Sequence, residues 1–156
     1  MGRSLAIARR RAASLRAEAA ARLSFRQADL GALDRLAPAW LASDGPAVLA
    51  IDVGCFHALA TDAARDGYAR GLATLLAPGA TLLLYGFDER APGSPFGRLA
   101  ARLGSRLGLR EGEVATRFGR VGLALEAVAR GEDSGRPSAW YALRKPPGRH
   151  VPGATP

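Results

Sequence analysis

One cysteine, Cys55, and one lysine, Lys145, stand among 156 residues, and aromatic side chains make up only 6% of the chain. A lone cysteine excludes an internal disulfide framework and a multi-cysteine zinc site. The few aromatics do not interleave with the basic residues, so the stacking platforms of a nucleic-acid binder are missing. No apolar run approaches the roughly 18 residues that a membrane span requires. The basic N-terminus is not followed by an apolar signal core, so the chain reads as cytoplasmic, with no membrane partner and no secretory peptide.

What remains is a chain that can fold. Hydrophobic residues make up 48% of it, enough for a packed core in one domain of this length. The formal net charge is +8, with 22 basic against 14 acidic side chains. Nearly all the basic residues are arginine. Seven lie between Arg3 and Arg26 and the rest are scattered. Such a chain attracts anionic surfaces without sequence specificity, but without a clustered stripe nucleic acid is not the expected main partner. The Arg9-Arg10-Arg11 run is read as the solvated face of a helix.

Periodicity divides the chain into alternating elements. Leu5, Ala8, Ala12, Leu15 and Ala19 recur at spacings of three and four, which predicts a helix over residues 4–21. Leu23 and Phe25 alternate with polar neighbours, which predicts a short strand over 22–27. A helix with Leu33, Leu36 and Trp40 on one face follows, with Pro38 expected to bend or end it. Val48-Leu49-Ala50-Ile51 is an unbroken apolar run, the pattern of a parallel strand covered on both faces, and predicts a strand over 47–53. Thr61 or Asp62 caps a helix over 61–77, and Pro78-Gly79 stops it. A strand over 81–85, a short helix over 96–107, another over 111–118 and two strands over 121–128 and 138–144 complete the expectation. The domain is placed at 1–145, and the proline- and glycine-containing tail at 146–156 is expected to be disordered. This order implies an α/β sheet with helices on its faces. Ligands bind such sheets beyond the carboxyl ends of the parallel strands, here at Asp29-Leu30, at 52–57 and at 86–89.

The ordered motifs resemble class I S-adenosylmethionine-dependent methyltransferases over residues 4–145. Phe25-Arg26-Gln27-Ala28-Asp29-Leu30 resembles the family's third strand and the acid after it. Ala50-Ile51-Asp52-Val53-Gly54-Cys55-Phe56-His57 resembles its fourth strand and following loop. Residues 68–79 resemble the helix that leads to a Leu-Leu-x-Pro-Gly turn, Gly79-Ala80-Thr81-Leu82-Leu83-Leu84 the fifth strand, and Ser138-Ala139-Trp140-Tyr141-Ala142-Leu143-Arg144 the final antiparallel strand. The resemblance implies a Rossmann-like methyltransferase sheet lacking its first two strands, with an antiparallel pair at its C-terminal end. It implies S-adenosylmethionine as cofactor, a small-molecule acceptor, and Asp29, Leu30, Asp52, Val53, Gly54, Phe56 and His57 as cofactor-binding residues, with no metal. The family's glycine-rich turn and ribose-binding acid have no counterpart, so the chain is read as N-terminally truncated, with weak or absent cofactor binding, and an inactive chain, as the expectation. A non-catalytic remnant that recruits a protein partner at its exposed sheet edge is the alternative.

Each candidate residue also has a plainer reading. Asp29 either receives the adenine amino group or caps a turn. Asp52 either orients a ligand or is a solvated strand-end acid. Gly54 serves a tight turn that itself forms part of the pocket. Phe56 either walls the pocket or packs in the core, and His57 is either a proton acceptor or a satisfied structural histidine. Cys55 and His57 lie too close along one loop to hydrogen-bond as nucleophile and base, and they lack a third group, so a cysteine hydrolase is disfavoured.

Overall fold

A computed structural model describes residues 2–89 and 108–148. The expected short helix over 96–107 and most of the expected tail lie outside the described residues. Among the described residues, five α-helices and four strands follow in order: α1 (Gly2–Ala13), α2 (Ala17–Ala20), α3 (Leu33–Asp44), β1 (Ala47–Val53), α4 (Asp62–Leu75), β2 (Leu76–Phe87), α5 (Glu113–Gly119), β3 (Ala124–Asp133) and β4 (Arg136–Arg144). The four strands form one open sheet in the order β1-β2-β4-β3. β1 and β2 are parallel, whereas β2–β4 and β3–β4 are antiparallel. The architecture is the mixed α/β sheet that the sequence implies, with its C-terminal antiparallel pair in place.

Two N-terminal expectations are corrected. The helix over 4–21 is broken between α1 and α2, where the Ser14 hydroxyl donates to the Arg11 carbonyl at 2.7 Å. A serine hydroxyl bonded back to its own turn competes with helix continuation. Residues 22–27 form no strand. That segment is held by a side chain instead: Arg26 pairs with Asp44 at 2.6 Å and lies over the Trp40 ring at 5.4 Å.

Pro38 does not end α3. The helix runs on to Asp44 and stops at Gly45, whose φ of 74° is a conformation that suits glycine. Thr61 caps α4 as expected, accepting from the Ala64 N–H at 3.2 Å. The helix stops at Leu75, and Pro78-Gly79 lies within β2 rather than ending a helix. Lys145 supplies the stop, donating its ammonium to the Ala73 and Leu76 carbonyls at 2.6 and 2.7 Å. A cation at a helix C-terminus satisfies orphan carbonyls and complements the dipole.

The core lies on one face of the sheet. Leu82, Leu84 and Leu143 have no exposed surface, and they cluster with Leu72, Leu109, Val114 and Phe118. The opposite face is different. Leu49, Ile51 and Val53 on β1 are 49, 60 and 66% exposed, and Trp140 on β4 is 40% exposed. β1 has the composition of a strand covered on both faces, yet among the described residues only one face is covered.

α3 and α4 approach so closely that glycine is required between them. A Cβ on Gly71 would fall 2.6 Å from the Leu33 backbone carbon and 2.8 Å from the Asp34 nitrogen. Backbone cannot give way as a flexible side chain can. Gly71→Ala should therefore lose about 2 kcal/mol, a drop of about 4–8 °C in a thermal melt followed by circular dichroism. An unchanged melting temperature would show that the two helices do not pack as described.

Candidate active site at the carboxyl end of the parallel strands

β1 delivers Asp52 and Val53 to the carboxyl edge of the sheet, and the chain turns there through Gly54. Its φ of 90° favours glycine, and a Cβ would fall 3.2 Å from the His57 ring. The Gly54 N–H donates to the Tyr85 carbonyl at 3.2 Å, so the turn is pinned to the neighbouring strand. A short 3-10 turn, Phe56–Ala58, follows.

Asp52 organises this loop from inside. Only 2% of it is exposed. One carboxylate oxygen accepts from the Cys55 N–H at 2.6 Å, and the other from the Phe56 N–H at 2.9 Å and the Tyr68 hydroxyl at 2.8 Å. It is therefore not a solvated strand-end acid. Burial and the adjacent carboxylate raise the Tyr68 hydroxyl far above its ordinary value, so it stays a proton donor. The same two causes push the Cys55 thiol up, the opposite of what a thiolate nucleophile needs.

Phe56 is fully buried, with ring centroids 5.9 Å from Tyr68 and 5.1 Å from Phe118. It backs the loop from the core. His57 turns the other way, edge-on to Phe87 at 5.4 Å. Its Nδ1 is buried and has no partner among the described residues. Burial lowers the His57 pKa, aided by Arg136 and Arg65 and opposed by Asp52. A neutral imidazole can accept a proton, which is the form a base at this edge requires.

Asp29 and Leu30 stand at a second turn. The Asp29 side chain accepts from the Gly31 N–H at 2.9 Å, and Leu30–Ala32 forms a 3-10 turn. The Asp29 residue is exposed and Leu30 half-buried. Both turns rest on the first half of α4. A Cβ on Gly31 would lie 3.1 Å from Ala64, and Tyr68 reaches Asp52. The capping geometry foreseen for Asp29 is present, while its carboxylate remains at the surface.

Arg65 is the residue that sequence reasoning missed. It has no exposed surface. It donates to the Leu59, His57 and Gly108 carbonyls at 2.8, 3.3 and 2.9 Å, and to both oxygens of Glu113 at 2.9 Å. The signal was available: Arg65 sits three and seven residues before Tyr68 and Leu72, on the core face of the helix, where a lone charge needs a partner.

Two predictions follow from this geometry. Glu113→Gln leaves the Arg65 charge buried without its ionised partner, and should cost about 3 kcal/mol in urea unfolding; a cost below about 0.5 kcal/mol would mean the pair is not buried. His57 should titrate in NMR below an ordinary histidine. The folded state then disfavours its charged form, so stability falls as pH drops through the unfolded histidine range, and His57→Gln should remove that part of the acid loss. Titration at or above the ordinary value would contradict the burial of Nδ1.

No protein-family model matches the sequence, and no curated protein matches it. Solved structures do. The glycopeptide N-methyltransferase MtfA in complex with S-adenosylhomocysteine aligns at a TM-score of 0.64 with 19% identity, over 94% of this chain and 70% of that one. An O-methyltransferase family protein from Burkholderia thailandensis aligns at 0.54 with 18% identity, over 84% of this chain and 38% of that one. A possible exported protein from Bordetella parapertussis aligns at 0.58 with 18% identity, over 89% of this chain and 49% of that one. The chain thus spans about half or less of two of these proteins and 70% of the third. What the matches show is the fold: the described residues share the Rossmann-like α/β arrangement of these solved structures.

Proposed function

We propose that this chain forms part of an S-adenosylmethionine-dependent methyltransferase that acts on a small molecule. The observation that supports this most strongly is the loop at 54–57, preorganised by a buried carboxylate at the carboxyl end of a parallel strand within that fold. Ligands of open α/β sheets lie at such ends.

The residues present fit the cofactor in part. Asp29 offers an exposed carboxylate beside Leu30, suited to an amino group of the adenine end. Val53 and Gly54 offer strand-end backbone without bulk. Asp52 and Phe56 act through the loop they hold, because the carboxylate is engaged by Cys55, Phe56 and Tyr68 and the ring is fully buried. When bound, the cofactor supplies an electrophilic methyl group on a sulfonium. The chain's own contribution is to hold the acceptor in line and to take a proton at the neutral His57 imidazole.

Val48, Leu49, Ile51 and Val53 favour a second reading, being 77, 49, 60 and 66% exposed along an open strand edge. Such an edge recruits another polypeptide. Under this reading the chain is an interaction module of methyltransferase ancestry, and nucleic acid and membrane are not its partners.

Calorimetric titration of residues 1–156 with S-adenosylmethionine tests the first reading. Saturable binding weaker than low-micromolar, reduced at least about tenfold by Asp29→Ala, is the expected result, since one charge-assisted hydrogen bond is worth about 1.5–3 kcal/mol. No saturable binding would leave the interaction module as the surviving reading. Low-micromolar affinity would show that residues 1–156 suffice for a tight grip on the cofactor.

A further inference from the structure

The uncovered face of the sheet carries a recess that shares only Val53 with the residues assigned to the cofactor. Strand register explains why it forms. Val53, Tyr85, Trp140 and Ala129 lie side by side in one row across all four strands. Gly131 follows Ala129 on the same face of β3, opposite Ser138, and Asp133 comes next, opposite Arg136. Large rings on the two central strands thus stand beside small residues on β3, and the step between them leaves a cavity of about 540 Å³. Val53, Tyr85, Trp140, Glu132 and Asp133 are among its lining residues. The volume lies within the usual range for small-molecule pockets.

The walls are chemically specific. The Tyr85 and Trp140 rings lie 5.1 Å apart, inclined at 43°, and the Trp140 residue is 40% exposed. The Tyr85 hydroxyl donates to Asp133 at 2.8 Å, and the Ser134 hydroxyl donates to its other oxygen at 2.9 Å. These two bonds hold the Asp133 carboxyl below its usual range, so it stays ionised. Arg130, the cation of the lining, faces Asp88 at 3.9 Å. Arg136 lies over the Phe87 ring at 4.2 Å. The recess therefore combines π faces with negative charge.

The recess also communicates with the candidate site. Edge-on ring contacts run from His57 to Phe87 at 5.4 Å and from Phe87 to Tyr85 at 5.6 Å, and Tyr85 packs on Trp140. Tyr85 is the residue whose carbonyl pins the Gly54 turn.

We propose that this recess holds the methyl acceptor, and that it selects a small ring-bearing molecule with a cationic amine, the ring against Tyr85 and Trp140 and the ammonium toward Asp133. This assignment rests on the methyltransferase reading above. A protonated amine has no free lone pair, so the ammonium is a binding handle; another atom of the molecule would form the new bond to the methyl carbon as the carbon–sulfonium bond breaks, with S-adenosylhomocysteine leaving as the neutral thioether and the accepting atom's proton passing to His57 or to water. Aromatic faces attract cations, and a fixed carboxylate adds direction to that attraction.

Trp140 fluorescence, read in a Trp40→Phe background, tests the proposal with three probes that share one ring: phenethylamine, phenethyl alcohol and phenylpropionate. Phenethylamine should quench saturably and bind about tenfold more tightly than the alcohol, with no binding of the carboxylate. Asp133→Asn, which keeps an acceptor for Tyr85, should erase most of that preference while circular dichroism stays unchanged. Equal affinity for the three probes, or a preference untouched by Asp133→Asn, would overturn the proposal. S-adenosylhomocysteine titrated into the same protein separates this outcome from failure of the parent reading. Cofactor binding without amine selectivity removes the recess alone, whereas amine selectivity without cofactor binding removes the acceptor assignment.

Discussion

The buried guanidinium of Arg65 is the interaction on which the site's architecture depends. Taking a cation out of water costs several kcal/mol, so it survives only if nearly every donor is used. Here the donors reach the Leu59 and His57 carbonyls, the Gly108 carbonyl and the Glu113 carboxylate. Those partners belong to the turn after β1, the residue that leads toward α5, and α5 itself. One side chain on α4 thus ties the turn just before its own helix to Gly108 and Glu113, 43 and 48 residues further along the chain. Its guanidinium also lies over the Phe56 ring at 5.5 Å, so the charge is packed as well as bonded.

Asp52 completes this framework from the strand side. Arg65 holds the far end of the loop by its carbonyls, while Asp52 holds the near end by its amides. Between them the loop from Gly54 to Leu59 has both polarities of its backbone satisfied by buried side chains of opposite charge. This leaves the half-buried His57 ring facing away from the core, neutral, with its buried Nδ1 unpartnered among the described residues. Preorganisation of this kind lowers the reorganisation needed when a ligand arrives.

Much of this was legible in the sequence, and the parts that were not share a cause. The strand 47–53 was read at its true bounds because an unbroken apolar run ending in Asp-Val-Gly has few other solutions. The α4 cap was narrowed to Thr61 or Asp62, of which Thr61 takes it, and the final strand over 138–144 was read from its apolar pattern. Leu23 and Phe25 misled, because two alternating residues predict a strand only where a neighbour exists to pair with it, and Arg26 binds Asp44 instead. Pro78-Gly79 misled because the helix stop came from Lys145, some seventy residues away. The plainer reading of Asp52 as a solvated acid failed for the same reason, since its partner Tyr68 belongs to another element. Local patterns give elements, but a buried charge declares its role only through partners distant in sequence.

The central claim is that the carboxyl edge built by these two charges is where ligand binds. Amide chemical-shift mapping by NMR, with S-adenosylhomocysteine added at millimolar concentration, addresses it most directly. The account predicts saturable shifts concentrated at residues 29–31 and 52–57, with α1 unaffected. Shifts confined to α1 and α2, or none at residues 52–57, would contradict it.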